Sequence, residues 1–526
     1  MRIAVVGGGP GGLFLALLVR RAAPAVEVTV FERNRADDTF GFGVVFSDRT
    51  LAGIHEADPV LRRALTEHGR HWDEIEVRIK GERIRCGGNG MAAVVRRTLL
   101  SLLQARAHEV GADLRFATEV TLDDLTGYDL VVAADGTGST IREQVGVDLG
   151  TEVDTATAKF IWFGTDHLFD GLTFVHERSP DGVFAVHGYP ISGPGDGPVS
   201  TFIVETDEAT WRRAGLDGFD ASQPPGTSDQ VTKDYLEQLF ADQIDGRRLL
   251  VNNSRWGSFR TRRTRRWHTT VPRPVAFLGD AVHTAHFSVG SGTKMAMEDA
   301  VALARAITAT PDDLPAALEA YERAAQPSVR RIQDSARPSL AWWEHFGRYH
   351  DEFEPWQFAY HFLSRSITDS RLARRDPAFV AASHRGWVAA HGAEPLDTPF
   401  ARGGWSAPGR LVDLQAVDGV PTAVAGGLPL AAGPAPGPWG ALVAAPETED
   451  GLAEVFARLT DLGERSPVLV AVHGGTPLTR TLVCERARLH DRLPALLVDT
   501  GDGEGLRDRA LTTVLSGRAD LVGAPA

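Results

Sequence analysis

Sulfur is scarce in this chain of 526 residues, which carries two cysteines and four methionines. Cys86 and Cys484 lie far apart and match no metal-ligand spacing. A disulfide scaffold and a thiolate metal site are therefore excluded, and two free thiols in a reducing compartment are expected. Long apolar runs are also missing. Leu13 to Val19 is too short to span a bilayer, and a glycine cluster precedes it where a signal peptide would need an unbroken apolar stretch. The expectation is a cytoplasmic protein with no membrane partner. Positive charge is in deficit: 55 Lys and Arg against 69 Asp and Glu leave a net charge of −14, which argues against a nucleic-acid partner. No internal repeat is visible, and no set of residues reads as a metal site. What remains, 43% hydrophobic and 24% charged, is an ordinary globular composition, with length for two to four domains.

The N-terminus is informative. Arg2 to Val6 reads as a short buried strand, and Leu13 to Ala22 as an apolar helix. Between them Gly7-Gly8-Gly9-Pro10-Gly11-Gly12 fits G-x-G-x-x-G at Gly7, Gly9 and Gly12. A second strand, Glu27 to Phe31, leads into Glu32-Arg33, and Glu32 lies 20 residues after Gly12 (32 − 12). In such a turn the first glycine permits the tight bend, the second lets the backbone approach a pyrophosphate, and the third lets helix and strand pack closely. The helix N-terminus presents unpaired N–H groups to phosphate, and the acid can accept hydrogen bonds from a ribose diol. The motif predicts a dinucleotide site without separating FAD from NAD.

Two later stretches make that separation. Tyr128 to Arg142 reads as a buried strand ending at Asp135-Gly136, followed by a turn and a helix start. Val275 to Ala300 reads as another buried strand ending at Gly279-Asp280, with a glycine-containing loop entering a helix near Thr293. A carboxylate at such a strand end is placed to bind a ribityl hydroxyl. The Gly290, Gly292 and Thr293 amides are placed to face the pyrimidine end of a flavin, where negative charge develops on reduction.

With these three stretches in this order, the chain resembles the class A flavoprotein monooxygenases of the para-hydroxybenzoate hydroxylase fold, over residues 1 to about 390. The segment Phe40 to Ser47, the loop Thr284 to Gly292 and Met297 to Ala300 further resemble a subgroup of ring hydroxylases. That subgroup contains salicylyl-CoA and anthraniloyl-CoA enzymes and natural-product enzymes such as those of violacein and piericidin biosynthesis. The resemblance implies an α/β fold: a Rossmann-like FAD-binding domain, a mixed β-sheet substrate domain and a small α/β C-terminal domain. It implies FAD as cofactor, NAD(P)H and O2 as co-substrates, and hydroxylation of a small aromatic substrate through a flavin C4a-hydroperoxide. It assigns Arg96 to the FAD diphosphate or ribityl chain and leaves a homo-oligomer open. The cofactor carries the difficult chemistry, which accounts for the absence of a nucleophilic triad from the sequence.

On this basis the FAD-binding domain is expected to be split over 1–75, 88–150 and 255–340, with the substrate sheet at 76–87 and 151–254 and a helical segment at 341–394. The substrate is expected among Phe42, Val45 and Phe46 of the loop after the second strand, Trp162, His187, Tyr189 and Phe202 of the sheet, and His286 and Phe287, with His283, of the Gly-Asp loop. His286 or His187 is the candidate catalytic base for a phenol proton. The basic run Arg260 to Arg266 reads as a solvated edge or as an anion clamp for NADPH or CoA phosphate.

Residues 395 to about 440 are rich in Gly, Pro and Ala and read as a linker. The tail 395–526 is too short for an eight-fold βα barrel, which needs about 200 residues. In Val417 to Pro421 and Ser516 to Leu521 it resembles the old-yellow-enzyme-like barrel that follows the hydroxylase in the aryl-CoA enzymes, which implies a shortened, FMN-free remnant; a thioredoxin-like domain is the alternative, with oligomer contact as a candidate role. Its shortness favours a tailoring hydroxylase of natural-product biosynthesis over a two-step aryl-CoA enzyme of aromatic degradation. A flavin-dependent halogenase and a non-catalytic flavoprotein are the rival classes. The halogenase Trp-x-Trp-x-Ile-Pro signature is absent, and the intact loops argue against the second.

Overall fold

The computed structural model describes all residues except 40, 193–196, 220–225, 502 and 526, and leaves the side chain at 289 undescribed. Phe40, which opens one of the loops quoted above, thus lies outside the described residues. The chain divides into two compact units, residues 1–81 with 89–347, and residues 82–88 with 348–526.

The first unit holds a parallel sheet in which Val275–Phe277, Leu130–Ala133, Arg2–Val6, Glu27–Phe31 and Asp113–Arg115 lie side by side in that order. Their near-continuous apolar runs are what parallel strands covered on both faces require. The helix Pro10–Ala22 packs against the helices Arg96–Glu109 and Gly292–Ala309, and its first ten residues, Pro10 to Val19, are all buried.

A second, mixed sheet runs Leu249–Leu250, Thr151–Thr165, Ser200–Thr206, Gly182–Pro190, Leu172–Ser179 and Ile75–Ile79. The two sheets, expected as separate domains, fall in one unit. The strand Thr151–Thr165 is long enough to pair with Ser200–Thr206 and also with Gly257–Thr264, the segment that leads back to the parallel sheet. Of the expected segment 76–87, residues up to Ile79 join this sheet and Glu82–Gly88 groups with the second unit.

Register decides which side chains share a face, because successive residues of a strand point to opposite sides. Trp162 pairs with Ile203, Ile203 with His187, and Phe160 with Glu205, so these five lie on one face. Phe163, Phe184 and Phe202 lie on the other face, buried against Leu236 and Phe240 of the helical layer behind it. Phe202 was expected to line substrate and does not; parity places it in the core. Phe46 is likewise a core residue, buried with Val44 among the parallel-sheet residues while Val45 faces the opposite way.

The second unit begins its tail with the helices Pro355–Leu363, Asp369–Ala373 and Pro377–His391 and the hairpin Phe400–Arg402/Trp405–Ala407. A closed barrel of seven strands follows, from Leu411–Val417 to Leu521–Pro525, sealed by parallel pairing of first with last. This overturns the linker expected at 395–440 and the thioredoxin-like alternative. Two of the Gly-rich stretches are tight hairpin turns. Asp418-Gly419 is a two-residue turn with both φ positive, at 51° and 77°, as a type I′ turn demands, and Ala425-Gly426-Gly427 is a three-residue loop between paired Val424 and Leu428 whose glycines have φ 87° and 85°. Hairpins replace βα units in the first half, and three helices, Leu452–Glu464, Pro477–Leu489 and Leu506–Leu515, serve the second. A barrel therefore closes in fewer residues than eight βα units need. Its interior is filled by side chains such as Leu414, Leu428, Leu469, Leu496 and Leu521.

Candidate active site

Three loops leave adjacent strand ends. Val6 is in register with Ala133, and Ala133 with Phe277, so Gly7–Gly12, Asp135–Ser139 and Gly279–Gly292 emerge together at the carboxyl edge of the parallel sheet. This edge is where open α/β sheets bind ligands. A Cβ on Gly7, at φ 115°, would sit 2.2 Å from the carbonyl oxygen of Ala134, and one on Gly12 would sit 2.2 Å from that of Gly7. Both glycines let helix and strands close up. Gly9 differs: a Cβ there would meet nothing within 4 Å, so the backbone faces open space. The helix behind it has Pro10 in its first turn, no side-chain cap and no acid in the first turn. Its N–H groups are free for an anion.

The acids stand around this opening. Glu32 accepts the Gly8 N–H at 2.7 Å through Oε2 and the Asn34 backbone N–H at 2.8 Å through Oε1, which fixes it beside the turn; Arg33 next to it is exposed. One oxygen of Asp135 accepts the Ile141 N–H at 3.2 Å, while its buried Oδ1 has no partner. Asp280 is accessible to solvent, yet the enclosing protein raises its carboxyl above the ordinary value, against the pull of His283, Arg96 and Arg262. Arg96, at the start of its helix, is itself lowered by burial and faces Asp280 and Tyr189. Arg142 and Arg262 both donate to the Thr137 carbonyl at 3.0 Å, and Arg142 also reaches the Ala281 carbonyl, tying the second loop to the third. Arg262 of the basic run is thus a structural tie. The helix Gly292–Ala309 starts without a side-chain cap, Cβ atoms on Gly290 or Gly292 would meet nothing within 4 Å, and Thr293 follows in the first turn. Two uncapped helix starts, an orphaned carboxylate oxygen and a solvent-accessible carboxyl fit a molecule with a diphosphate, several hydroxyls and an electron-accepting ring. FAD is such a molecule, and the residues present fit it.

Beside this cradle lies a partly exposed aromatic cluster, the candidate substrate recess. Tyr189, Ile191, Ile203 and Ala93 form its buried base, and Phe42, Val45, Trp72, Trp162 and Phe287 pack onto it partly exposed. Burial pushes the Tyr189 phenol up to about 12 despite the Thr201 hydroxyl and Arg96, so it remains a neutral donor, directed at the Gly43 carbonyl at 3.4 Å. The buried indole N–H groups of Trp72 and Trp162 have no partner.

Behind Phe287 the sheet face carries a buried ionisable group that the sequence reading did not single out. Glu205 lies with one oxygen 2.6 Å from Nε2 of His187 and the other 3.2 Å from Nε2 of His286. Burial would raise this carboxyl, but the two imidazoles against it, His286 and His187, overcome it and hold Glu205 at about 2. Neither imidazole opens to solvent, with His187 3% and His286 2% exposed. The Phe287 ring covers both, its centroid 4.3 Å from His286 and 5.5 Å from His187. The Nδ1 atom of His286 lies 2.8 Å from the hydroxyl of half-buried Ser288, which lies 2.9 Å from that of Ser339. His283 is separate: its Nε2 lies 2.6 Å from Asp299, which also accepts the Gly279 N–H at 2.9 Å, so it braces the loop.

The structure thus brings Phe42, Val45, Trp162, Tyr189 and Phe287 to one recess, sets His187 and His286 behind Phe287, and leaves Phe46, Phe202 and His283 in the core or as braces. Sequence reasoning missed Glu205, Trp72, Ser288 and Ser339. For Glu205 a signal existed: in Thr201-Phe202-Ile203-Val204-Glu205 an acid takes an inward-facing parity.

A family profile described as FAD binding domain matches residues 1–336. The chain is 54% identical over 535 aligned residues to salicyloyl-CoA 5-hydroxylase of a Streptomyces species, covering 99% of both chains. It is 36% identical to 3-hydroxy-4-methyl-anthranilyl-[aryl-carrier protein] 5-monooxygenase of Streptosporangium sibiricum, over 65% of this chain and 89% of that one. In fold it is similar to the tetrameric form of 2-methyl-3-hydroxypyridine-5-carboxylic acid oxygenase, with a TM-score of 0.51 and 19% identity over 70% of this chain and 98% of that one. No helix among the described residues is long and apolar enough to cross a membrane. This chain belongs to the FAD binding domain family and is an FAD-dependent aromatic hydroxylase using NAD(P)H and O2.

Proposed function

We propose that this hydroxylase acts on the ring of an ortho-hydroxy- or ortho-aminobenzoyl thioester, at the carbon para to that donor. The observation that carries the reading is the aromatic recess beside the cradle, backed by one buried carboxylate and two imidazoles. The thioester is supported by the two relatives named above, whose names specify a CoA and a carrier-protein acyl group. The short tail, which favoured a free natural-product ring, does not bear on the choice, since the salicyloyl-CoA relative matches this chain over 99% of its own length. A biosynthetic setting and a degradative one both accommodate this chemistry.

When bound, FAD reduced by NAD(P)H activates O2 and supplies the oxygen atom that the ring receives. The chain's own residues do the rest. The amides of Gly9, Gly11 and Gly12 hold the diphosphate, Glu32 the ribose, and Asp135 and Asp280 the hydroxyls of the ribityl side, with Arg96 beside Asp280. The Gly290 to Thr293 amides meet the pyrimidine end. Phe42, Val45, Trp162, Tyr189 and Phe287 clamp the arene and exclude water, which orients one carbon for attack and protects the activated oxygen. An ortho donor enriches the para carbon, and withdrawing its proton enriches it further.

We also propose a homo-oligomer in a cytoplasmic setting where NAD(P)H and acyl-CoA are available. The assembly is supported by the tetrameric relative in fold, and sedimentation velocity decides it. The substrate is tested with 18O2 by mass spectrometry of products from hydroxybenzoyl-CoA, aminobenzoyl-CoA, their carrier-protein thioesters and the free acids. One labelled oxygen para to the donor in a thioester product is expected. Faster turnover of the free acids than of every thioester refutes the substrate class.

A further inference from the structure

A carboxylate buried on a sheet face stays ionised only where partners compensate its lost hydration. Glu205 is 1% exposed, and its back-face neighbours Phe202 and Val204 belong to a wholly apolar layer. An aliphatic side chain would fill the position at lower desolvation cost, so the acid has a use beyond packing. Its two oxygens are divided between two imidazoles, at 2.6 Å and 3.2 Å. Because the Nε2 of His286 faces a carboxylate, that nitrogen carries hydrogen and Nδ1 is the acceptor. The Ser288 backbone N–H points at this Nδ1 from 3.4 Å, consistent with that tautomer. Ser288, whose hydroxyl lies 2.8 Å from Nδ1, is the half-buried residue of the series; every other member is buried. Ser288 adjoins Phe287, whose ring lies 5.8 Å from that of Trp162 in the recess.

We propose that Ser288, His286 and Glu205 form a relay that withdraws the proton of the substrate's ring hydroxyl, with Ser288 meeting the substrate and Glu205 acting as positioning residue. The O–H bond of the ring hydroxyl breaks and its electron pair stays on that oxygen. The proton passes to the Ser288 oxygen as the serine's own proton forms an N–H bond at Nδ1 of His286. The imidazolium so formed lies against the Glu205 carboxylate, and the cluster gains one positive charge without exposing it. His187, on the second oxygen, shares that charge and keeps the carboxylate from rotating. Beyond it the same sheet face carries His176, stacked on Trp343, and Ser339 closes the other side of Ser288. Release of the proton after hydroxylation restores the tautomer.

This inference rests on the thioester reading, and the test separates the two. An ortho-amino substrate donates its lone pair without losing a proton, so it bypasses the relay, whereas an ortho-hydroxy substrate needs it. With hydroxybenzoyl-CoA, Ser288→Ala and Glu205→Gln are expected to lower kcat at least about tenfold at neutral pH. The loss is expected to fade as rising pH ionises the phenol unaided, while aminobenzoyl-CoA is expected to change less than about threefold. Ser288→Thr, which keeps the hydroxyl, should restore the rate. Equal losses on both substrates, or no recovery at high pH, overturn the relay. If the unaltered enzyme turns over neither thioester, the substrate reading fails, and the relay is judged by proton NMR of the FAD-loaded protein. A far-downfield imidazole N–H resonance that Glu205→Gln removes is expected there, and its absence from the unaltered protein overturns the relay.

Discussion

Replacing Gly12 by alanine measures how tightly the helix Pro10–Ala22 must seat on its strand. The added Cβ would lie 2.2 Å from the Gly7 oxygen, 3.1 Å from Cγ1 of Val5 and 3.3 Å from Cβ of Ala134. A carbon–oxygen contact needs about 3.3 Å, so the helix must retreat by roughly 1 Å. Pro10 to Val19 are all buried, so the retreat disturbs packing and costs about 1–3 kcal/mol of stability. The same movement carries the helix amides beyond hydrogen-bond reach of a diphosphate oxygen, about 3.2 Å. Losing one charge-assisted bond, about 1.5–3 kcal/mol, weakens FAD binding by roughly tenfold to a hundredfold. Gly9→Ala is the control. Its φ of −76° suits alanine and its Cβ would meet no protein atom within 4 Å, so the apoprotein should keep its stability and lose only FAD affinity. Urea unfolding of the FAD-stripped protein and flavin fluorescence titration read the two quantities. A Gly12→Ala protein with unaltered midpoint and affinity would refute the close seating. A Gly9→Ala protein that binds FAD normally would refute the passage of the diphosphate over this turn.

Three further outcomes follow from the substrate side. Glu205 is held at about 2 against an ordinary 4.5, a lowered value, so its contribution is present above pH 4.5 and disappears as pH falls toward 2. The difference is on the order of 3 kcal/mol. Urea midpoints between pH 5 and 3 should therefore fall more steeply for the unaltered protein than for Glu205→Gln, and parallel slopes would contradict the pairing. Phe202→Ala should cost about 3–5 kcal/mol as a core truncation. Phe287→Ala, in the recess, should cost less and instead raise NAD(P)H oxidation without product; a Phe202 variant with normal stability but altered KM would reverse this assignment.

Most of the cradle was legible in the residues. Gly7, Gly9, Gly12, Asp135 and Asp280 are recognisable because each answers a local demand, a bend, a close approach or an acid at a strand end, and such demands are met within a few residues of sequence. The recess was legible only in part. Phe202 and Ile203 look alike to a hydrophobicity pattern, and a one-residue difference in parity sends one to the core and the other to the site. The tail was misjudged for a related reason. Asp418-Gly419 and Gly426-Gly427 carry a hairpin signal, yet their Gly- and Pro-rich surroundings resemble a linker until the strands they join are seen to pair.

The sequence by itself determined the order of strand, glycine turn and helix, the two acid-bearing strand ends, and hence the flavin chemistry, because these rest on short-range backbone geometry. Only the tertiary structure decided that Val6, Ala133 and Phe277 end side by side and that seven strands of the tail close on themselves. It alone brought Glu205, His187 and His286, far apart in the chain, to share one buried charge. Pairing register and strand order set those contacts, and both depend on which distant segments bury their apolar faces together.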